Sequence, residues 1–217
     1  MSCDTVLVGE DTDLLVLLLY HASNKHHKLF FAASRDKTWD IHKTKAILGK
    51  DLCDNIIFLH ALTGCDTTSH PFSIWKGSIL TKFKNSVQLR ATAKTFMVAN
   101  EDEREKIIKL GGEALVCLYG GSIESLNELR YRKYMTKVAS QKHAVQAHTL
   151  PPTCAASKFH VLRVFLQVKI WKELIDPAEE DPIQWGWEHL NDVLYPIYTD
   201  TSPAPKELLN FIFCKCK

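Results

Sequence analysis

The sequence predicts an α/β chain, with strands and helices in its first part and a mostly helical second half. Three observations support this. Two apolar, β-branched and Leu-rich stretches, Thr5 to Tyr20 and Lys28 to Ala33, flank the polar turn Ser23 to His27 and read as adjacent strands. From Ile41 the apolar residues switch to helical spacing. After Ser157 the stretch KFHVLRVFLQVKIWKELI is the strongest helical pattern in the chain.

Taken in order, Thr5 to Tyr20 reads as a buried strand with the polar break GEDTD near its end. Ile41 to Leu48 and Leu52 to Leu62 read as helices, with Gly49 as a C-cap, Asp51 as an N-cap and Gly64 as the stop. The first 65 residues are therefore expected to run strand, strand, helix, helix, an α/β order. Between Ile74 and Met97 the period is ambiguous and helices are expected. Asp102 to Tyr119 reads as an amphipathic helix interrupted by Gly111 and Gly112. Ser122 to Ala139 reads as a helix with a basic face and with Ser122 and Ser125 as caps. Leu150-Pro151-Pro152-Thr153 breaks the chain, and Asp176-Pro177 ends the long helix that follows. From Asp181 the Trp, Gly and Pro residues are too closely spaced for regular structure, until a short helix at Lys206 to Phe213. The expected divisions are 1–77, 78–180 and 181–217.

Composition narrows the functional classes. The chain has 217 residues, 46% hydrophobic and 24% charged, enough for a sizeable core and unlike a disordered or coiled-coil sequence. The longest apolar run, Leu14 to Tyr20, has seven residues, against roughly 18 for a membrane span. Its acidic flank is unlike the basic start of a secretory signal. Seven cysteines, an odd number, favour reduced thiols. The expectation is an intracellular protein of the nucleus or cytoplasm, with no membrane partner and no organic cofactor. Basic residues cluster at Lys76, Lys82, Lys84, Arg90 and Lys94, and again at Arg130, Arg132, Lys133, Lys137 and Lys142. Either cluster could face phosphate or serve as a solvated helix face. Asp176 to Asp192 carries six acids and no Lys or Arg, and should avoid nucleic acid.

The chemistry concentrates in two short motifs, Gly9-Glu10-Asp11-Thr12-Asp13 at a strand end and Gly64-Cys65-Asp66-Thr67-Thr68 at a helix end. On an extended chain Asp11 and Asp13 would point to one side, and strand-end loops are where α/β sheets place their sites. Converging carboxylates need a cation, and oxygen ligands suit Mg²⁺ or Mn²⁺. Such a centre activates water against a phosphodiester. Residue by residue, the competing assignment is a turn cap for Asp11, a solvated Asp13, and an Asp66 bonded to Thr68.

VLVGEDTDLLVLLL followed by HALTGCDTTS resembles the second half of the flap-endonuclease-like PIN nuclease domain, over roughly residues 5 to 77, which implies a partial PIN-like parallel sheet with helices there. In that family an E-D-x-D strand motif and a later L-x-G-C-D motif supply metal-binding carboxylates. The resemblance implies that Asp11, Asp13 and Asp66 are metal ligands and catalytic residues, with Glu10 beside them. It also implies that Lys76, Gly77, Lys82 and Lys84 bind nucleic acid, DNA or RNA, since the family continues into a glycine turn and a DNA-gripping helix. The family's further acids lie upstream of the E-D-x-D strand, where only ten residues precede Asp11. The expectation is therefore a remnant or fragment of a structure-specific nuclease, impaired as given. The alternative is a non-catalytic nucleic-acid- or protein-binding module that keeps the fold.

The motifs LPPTCAAS, PIQWGWE, PAPKELL and the closing Cys214-Lys215-Cys216 resemble a group of transposon-associated proteins of invertebrate genomes. In that group more cysteines follow, which implies a zinc element in a longer chain. Cys214 and Cys216 alone cannot complete a tetrahedral zinc site. His21, His26 and His27 read as a solvated turn rather than a metal site, and Cys65 near His60 and His70 lacks the third group of a nucleophilic triad. Cys117 and Cys154 read as core or loop thiols. Trp171, Trp185 and Trp187 read as packing residues rather than base-stacking ones, and Val161 to Ile175 as core.

Overall fold

The structure is a computed structural model that describes residues 4–23, 28–33, 37–140, 144–173 and 175–202. It is a mixed α/β fold, about 61% helical. Strand β1 (Thr5–Val8) pairs in parallel with β2 (Leu29–Ala33), from Thr5 opposite Leu29 to Val8 opposite Ala32. Strand β3 (Lys37–Asp40) pairs antiparallel with β2, so the sheet is mixed, in the order β1-β2-β3. Phe31 and Trp39 face each other across that register with their rings 5.8 Å apart. Such cross-strand aromatic pairs hold a short sheet in register.

The second half of the expected first strand is a helix, α1 (Thr12–His21). Leu is a good helix former, and the run Leu14 to Leu19 is apolar on every side, so alternation could not distinguish the two states. The cap decides it. Asp11 is extended, and its carboxylate accepts from the amide of Asp13 at 2.9 Å, satisfying a donor that a helix start otherwise leaves open. A parallel connection requires such a crossover helix between its strands. β1 is also not buried. Val6 and Val8 are 54% and 76% exposed, because the strand forms an edge of the sheet.

Asp40 caps α2 (Ile41–Leu48), and Gly49, with φ +86°, ends it as expected. The next helix is divided into α3 (Lys50–Cys53) and α4 (Ile56–Thr63). Asp51 lies inside α3 rather than capping it, and its carbonyl accepts from the Asn55 side chain at 2.8 Å where the chain bends. All eight residues of α4 are buried, which marks a central helix, and Gly64 stops it with φ +107°.

Helices α5 (Lys76–Asn85), α6 (Val87–Met97), α7 (Arg104–Leu118) and α8 (Leu126–Ser140) follow. Gly111 and Gly112 do not interrupt α7. A Cβ at Gly111 would lie 2.3 Å from Val161 Cγ1, so the missing side chain lets α7 press against α9 (Cys154–Glu173). Ser125 caps α8, exchanging hydrogen bonds with Glu128. α9 packs against α4 and α7 and is buried along most of its length. Trp185 closes the core against Phe165 at 5.0 Å. One apolar cluster runs from Val16 to Trp185, each fully buried large side chain contributing about 1.5–3 kcal/mol.

The acidic tail, expected to lack regular structure, forms a hairpin, β4 (Trp187–Leu190) with β5 (Val193–Pro196). Asn191 and Asp192 both take positive φ at its two-residue turn, the conformation that a tight hairpin demands and Asn and Asp tolerate. Among the described residues no helix is long and apolar enough to cross a membrane. The expected helix at Lys206 to Phe213 lies outside the described residues.

Candidate metal centre

Asp11, Asp13 and Asp66 come together: each offers a carboxylate oxygen, and these atoms lie within 4.8 Å of one another. The route differs from the extended strand expected for Asp11 and Asp13. Asp11 stands between β1 and α1 as the helix cap, and Asp13 occupies the first helical turn. Acids at a helix N-terminus are also favoured by the macrodipole.

Asp66 sits in the turn that follows Gly64, and this turn is pinned on two sides. Thr68 Oγ1 donates to the Ala61 carbonyl at 2.7 Å and accepts from the Cys65 amide at 3.0 Å, tying the turn to α4. Thr67 Oγ1 donates to Gln167 Oε1 at 2.5 Å, tying it to α9. Gly64 has no room for a side chain, since a Cβ there would lie 2.9 Å from His70 Cα.

His60 was not evident from the sequence as part of this centre. It is 6% exposed on α4, and its Nε2 donates to Asp13 Oδ1 at 2.6 Å. Burial pushes its pKa below the usual imidazole value, opposed by the Asp13 hydrogen bond and assisted by the nearby Lys76 charge. The ring is therefore neutral at pH 7, and contact with a carboxylate places the proton on Nε2. Trp171 stacks on it at 5.8 Å, and His21 Nε2 donates to the Trp171 carbonyl at 2.7 Å. A carboxylate held through one oxygen by a buried donor is oriented with its second oxygen left for a cation.

The donor set fits a hard divalent cation such as Mg²⁺ or Mn²⁺, which takes oxygen ligands and keeps water in its remaining positions. Lys76 opens α5 on the exposed surface and lies close enough to act on His60. Gly77 follows it, with open space where a Cβ would stand, and the helix start has no side-chain cap. Lys84 is exposed in the last turn of α5, whereas the half-buried Lys82 ammonium donates to the Leu118 carbonyl.

Much of the remaining basic charge is used inside the molecule. Lys94 pairs with Asp51 at 2.6 Å, Arg132 pairs with Glu124 at 2.6 Å, and Lys137 donates to Thr149 Oγ1 at 2.7 Å. Cys65 Sγ lies near the hydroxyls of Thr67 and Thr68, while His60 and His70 are bonded to Asp13 and to the Thr63 carbonyl, so neither imidazole serves the thiol. Cys214, Cys216, His26, His27 and Lys142 lie outside the described residues. The chain matches no protein-family model, no curated protein and no solved structure.

Proposed function

We propose that Asp11, Asp13 and Asp66 form the divalent-cation centre of a PIN-like nuclease region, acting on the phosphodiester backbone of DNA or RNA. The observation that carries this reading is the convergence of three carboxylates that lie up to 55 positions apart in sequence. Bound Mg²⁺ or Mn²⁺ would lower the pKa of water and offset charge on the phosphate. The protein's own share is positional. Asp11 and Asp13 are set by the α1 cap, Asp66 by the turn that Thr68 ties to Ala61 and Thr67 ties to Gln167, and Asp13 is oriented by His60. Lys76 and the start of α5 supply the nearby positive charge for the backbone.

Among the described residues the centre presents three carboxylates, enough for one cation with water and fewer than a two-cation site uses. Hydrolysis is therefore expected to be slow and to depend strongly on each ligand. The test is cleavage of end-labelled DNA and RNA flap and hairpin substrates with Mn²⁺. Metal-dependent cleavage abolished by either Asp13→Asn or Asp66→Asn supports the reading, and cleavage persisting in both variants ends it.

A second reading, a non-catalytic binding module, is favoured by the exposed apolar edge strand β1, a feature of surfaces that receive another chain. Nucleic-acid binding with a steep salt dependence and no need for metal would support that module over the nuclease.

A further inference from the structure

A cavity of about 290 Å³ lies between α9, the loop 177–182, the β4–β5 hairpin and the turn that carries Asp66. Its walls are mostly apolar, built from Leu166 and Ile170 of α9, Pro177, Pro182, Trp187 and Leu194. Gln167 of α9 also lines it. That side chain is 8% exposed, and its Oε1 accepts from Thr67 Oγ1 at 2.5 Å. Its Nε2 has no hydrogen-bond partner among the described residues and is not one of the fully enclosed atoms, so the amide offers its N–H groups to the cavity. A donor held this deep without a partner calls for an acceptor. The charged groups of the wall are already engaged. Glu180 pairs with Lys169 at 2.7 Å, and Arg163 Nη1 donates to the carbonyls of Gly186 and Ile197, with the guanidinium 5.7 Å from the Trp187 ring.

The surroundings of the cavity are acidic. Asp176, Glu179, Asp181 and Glu188 are exposed, and each adjoins a lining residue in sequence. None of the four has an ion-pair partner among the described residues. From Asp176 to Asp192 the chain carries no Lys or Arg. Such a rim repels a phosphate backbone and attracts cations. The hairpin itself is open to a partner. Leu190, Val193 and Tyr195 share one of its faces with Glu188 in the register of the two strands, and all four are exposed. With only two strands, each has an edge without a neighbour among the described residues. A two-stranded sheet is marginal alone, and open edges accept another extended chain.

We propose that this cavity and the adjoining hairpin bind a basic peptide segment of another protein, one whose large apolar side chain is flanked by Lys or Arg. The apolar side chain fills the cavity, and a backbone carbonyl beside it accepts from Gln167 Nε2. The flanking cations meet Asp176, Glu179, Asp181 and Glu188. A buried apolar anchor within a charged rim is the usual anatomy of peptide recognition, with the anchor supplying affinity and the rim supplying rate and selectivity. A nucleic-acid strand meets the wrong sign of charge here, and a small apolar molecule leaves both the acids and the hairpin face uncovered. The site stands apart from the cation centre, since none of its three ligands lines the cavity.

The test is isothermal titration of the full chain, in EDTA, with the peptide acetyl-Lys-Lys-Phe-Lys-Lys-amide. Three controls accompany it: the same peptide with Ser in place of Phe, the same peptide with Glu in place of every Lys, and a thymidine tetranucleotide. Saturable binding of the first peptide is expected, about tenfold or more tighter than of any control, and weakening about threefold or more as salt rises from about 50 to about 300 mM. Glu179→Gln combined with Glu188→Gln alters only exposed acids, and should weaken binding about fivefold and flatten its salt dependence. Leu194→Ser, which trims a wall, and Gln167→Met, which keeps the bulk and removes the N–H groups, should each weaken it about tenfold. No saturation below about 1 mM, a control peptide or the tetranucleotide binding as tightly as the first peptide, or unchanged affinity in all the folded variants overturns the proposal.

Discussion

His60 Nε2 lies 2.6 Å from Asp13 Oδ1, so a buried imidazole of α4 fixes the carboxylate that α1 presents to Asp11 and Asp66. The helix bearing His60 leads directly into the turn bearing Asp66. One buried helix thus positions two sides of the centre, and a change in α4 is felt at both.

Replacing His60 should therefore act on cation binding. His60→Ala removes the donor and leaves Asp13 free to rotate, and outer partners of this kind are worth about 10–100-fold in metal affinity. His60→Gln can restore an N–H and should recover part of the loss. Titration of Mn²⁺ into both folded variants checks this, and equal affinity in wild type and His60→Ala would remove His60 from the centre.

Acid should destabilise the fold through its buried histidines. The folded pKa of His160 is held near 4, against about 6.5 in an unfolded chain, so between those values the unfolded state binds more protons. Stability is full above about pH 6.5 and is lost as pH falls toward 4, by about 3 kcal/mol from this one group. The depressed pKa of His60 acts in the same direction. Urea melts between pH 7 and pH 4 measure the slope, which should flatten in His160→Gln.

Adjacent glycines of α7 should respond with opposite signs. Gly111→Ala drives a methyl to 2.3 Å from Val161 Cγ1 and should cost about 1–3 kcal/mol, the usual range for overpacking. Gly112→Ala meets nothing within 4 Å and should stabilise the helix by about 0.5–1 kcal/mol. Chemical denaturation of the two variants reads both effects, and similar shifts would contradict the close α7–α9 contact.

Gly64→Ala should couple stability to the metal site. Its φ of +107° disfavours any side chain, and the new Cβ would fall 2.9 Å from His70 Cα. A loss of about 1–3 kcal/mol is expected from the strain, with weaker Mn²⁺ binding because the Asp66 turn must shift. Unchanged Mn²⁺ affinity in the folded variant would show that the turn does not set Asp66.

The sequence carried the convergence of the three carboxylates better than it carried the local structure. Asp11, Asp13 and Asp66 were legible because their motifs stand at element ends, where polar residues interrupt apolar runs. Leu14 to Tyr20 misled because a helix that is apolar on nearly every side has no period, and only the Asp11 cap marks its start. Gly111 and Gly112 read as breakers because the neighbour that requires Gly111, Val161, is fifty positions away. The hairpin at Trp187–Pro196 was hidden by flanking Trp and Pro residues, although Asn191-Asp192 is a turn signal. His60 stood out only as a neighbour of Cys65 and not as the partner of Asp13, since that role depends on which face of α4 meets α1. The basic runs promised more than they supply, as several of those cations are tied to nearby carbonyls and acids.

The most direct measurement is Mn²⁺ binding to the full chain, followed by the loss of the free-ion electron paramagnetic resonance signal, in wild type, Asp11→Asn, Asp13→Asn and Asp66→Asn. One saturable site is expected, weakened at least tenfold by each substitution while the melts stay cooperative. Absence of saturable binding, or binding that all three substitutions leave unchanged, would contradict a cation centre at these carboxylates.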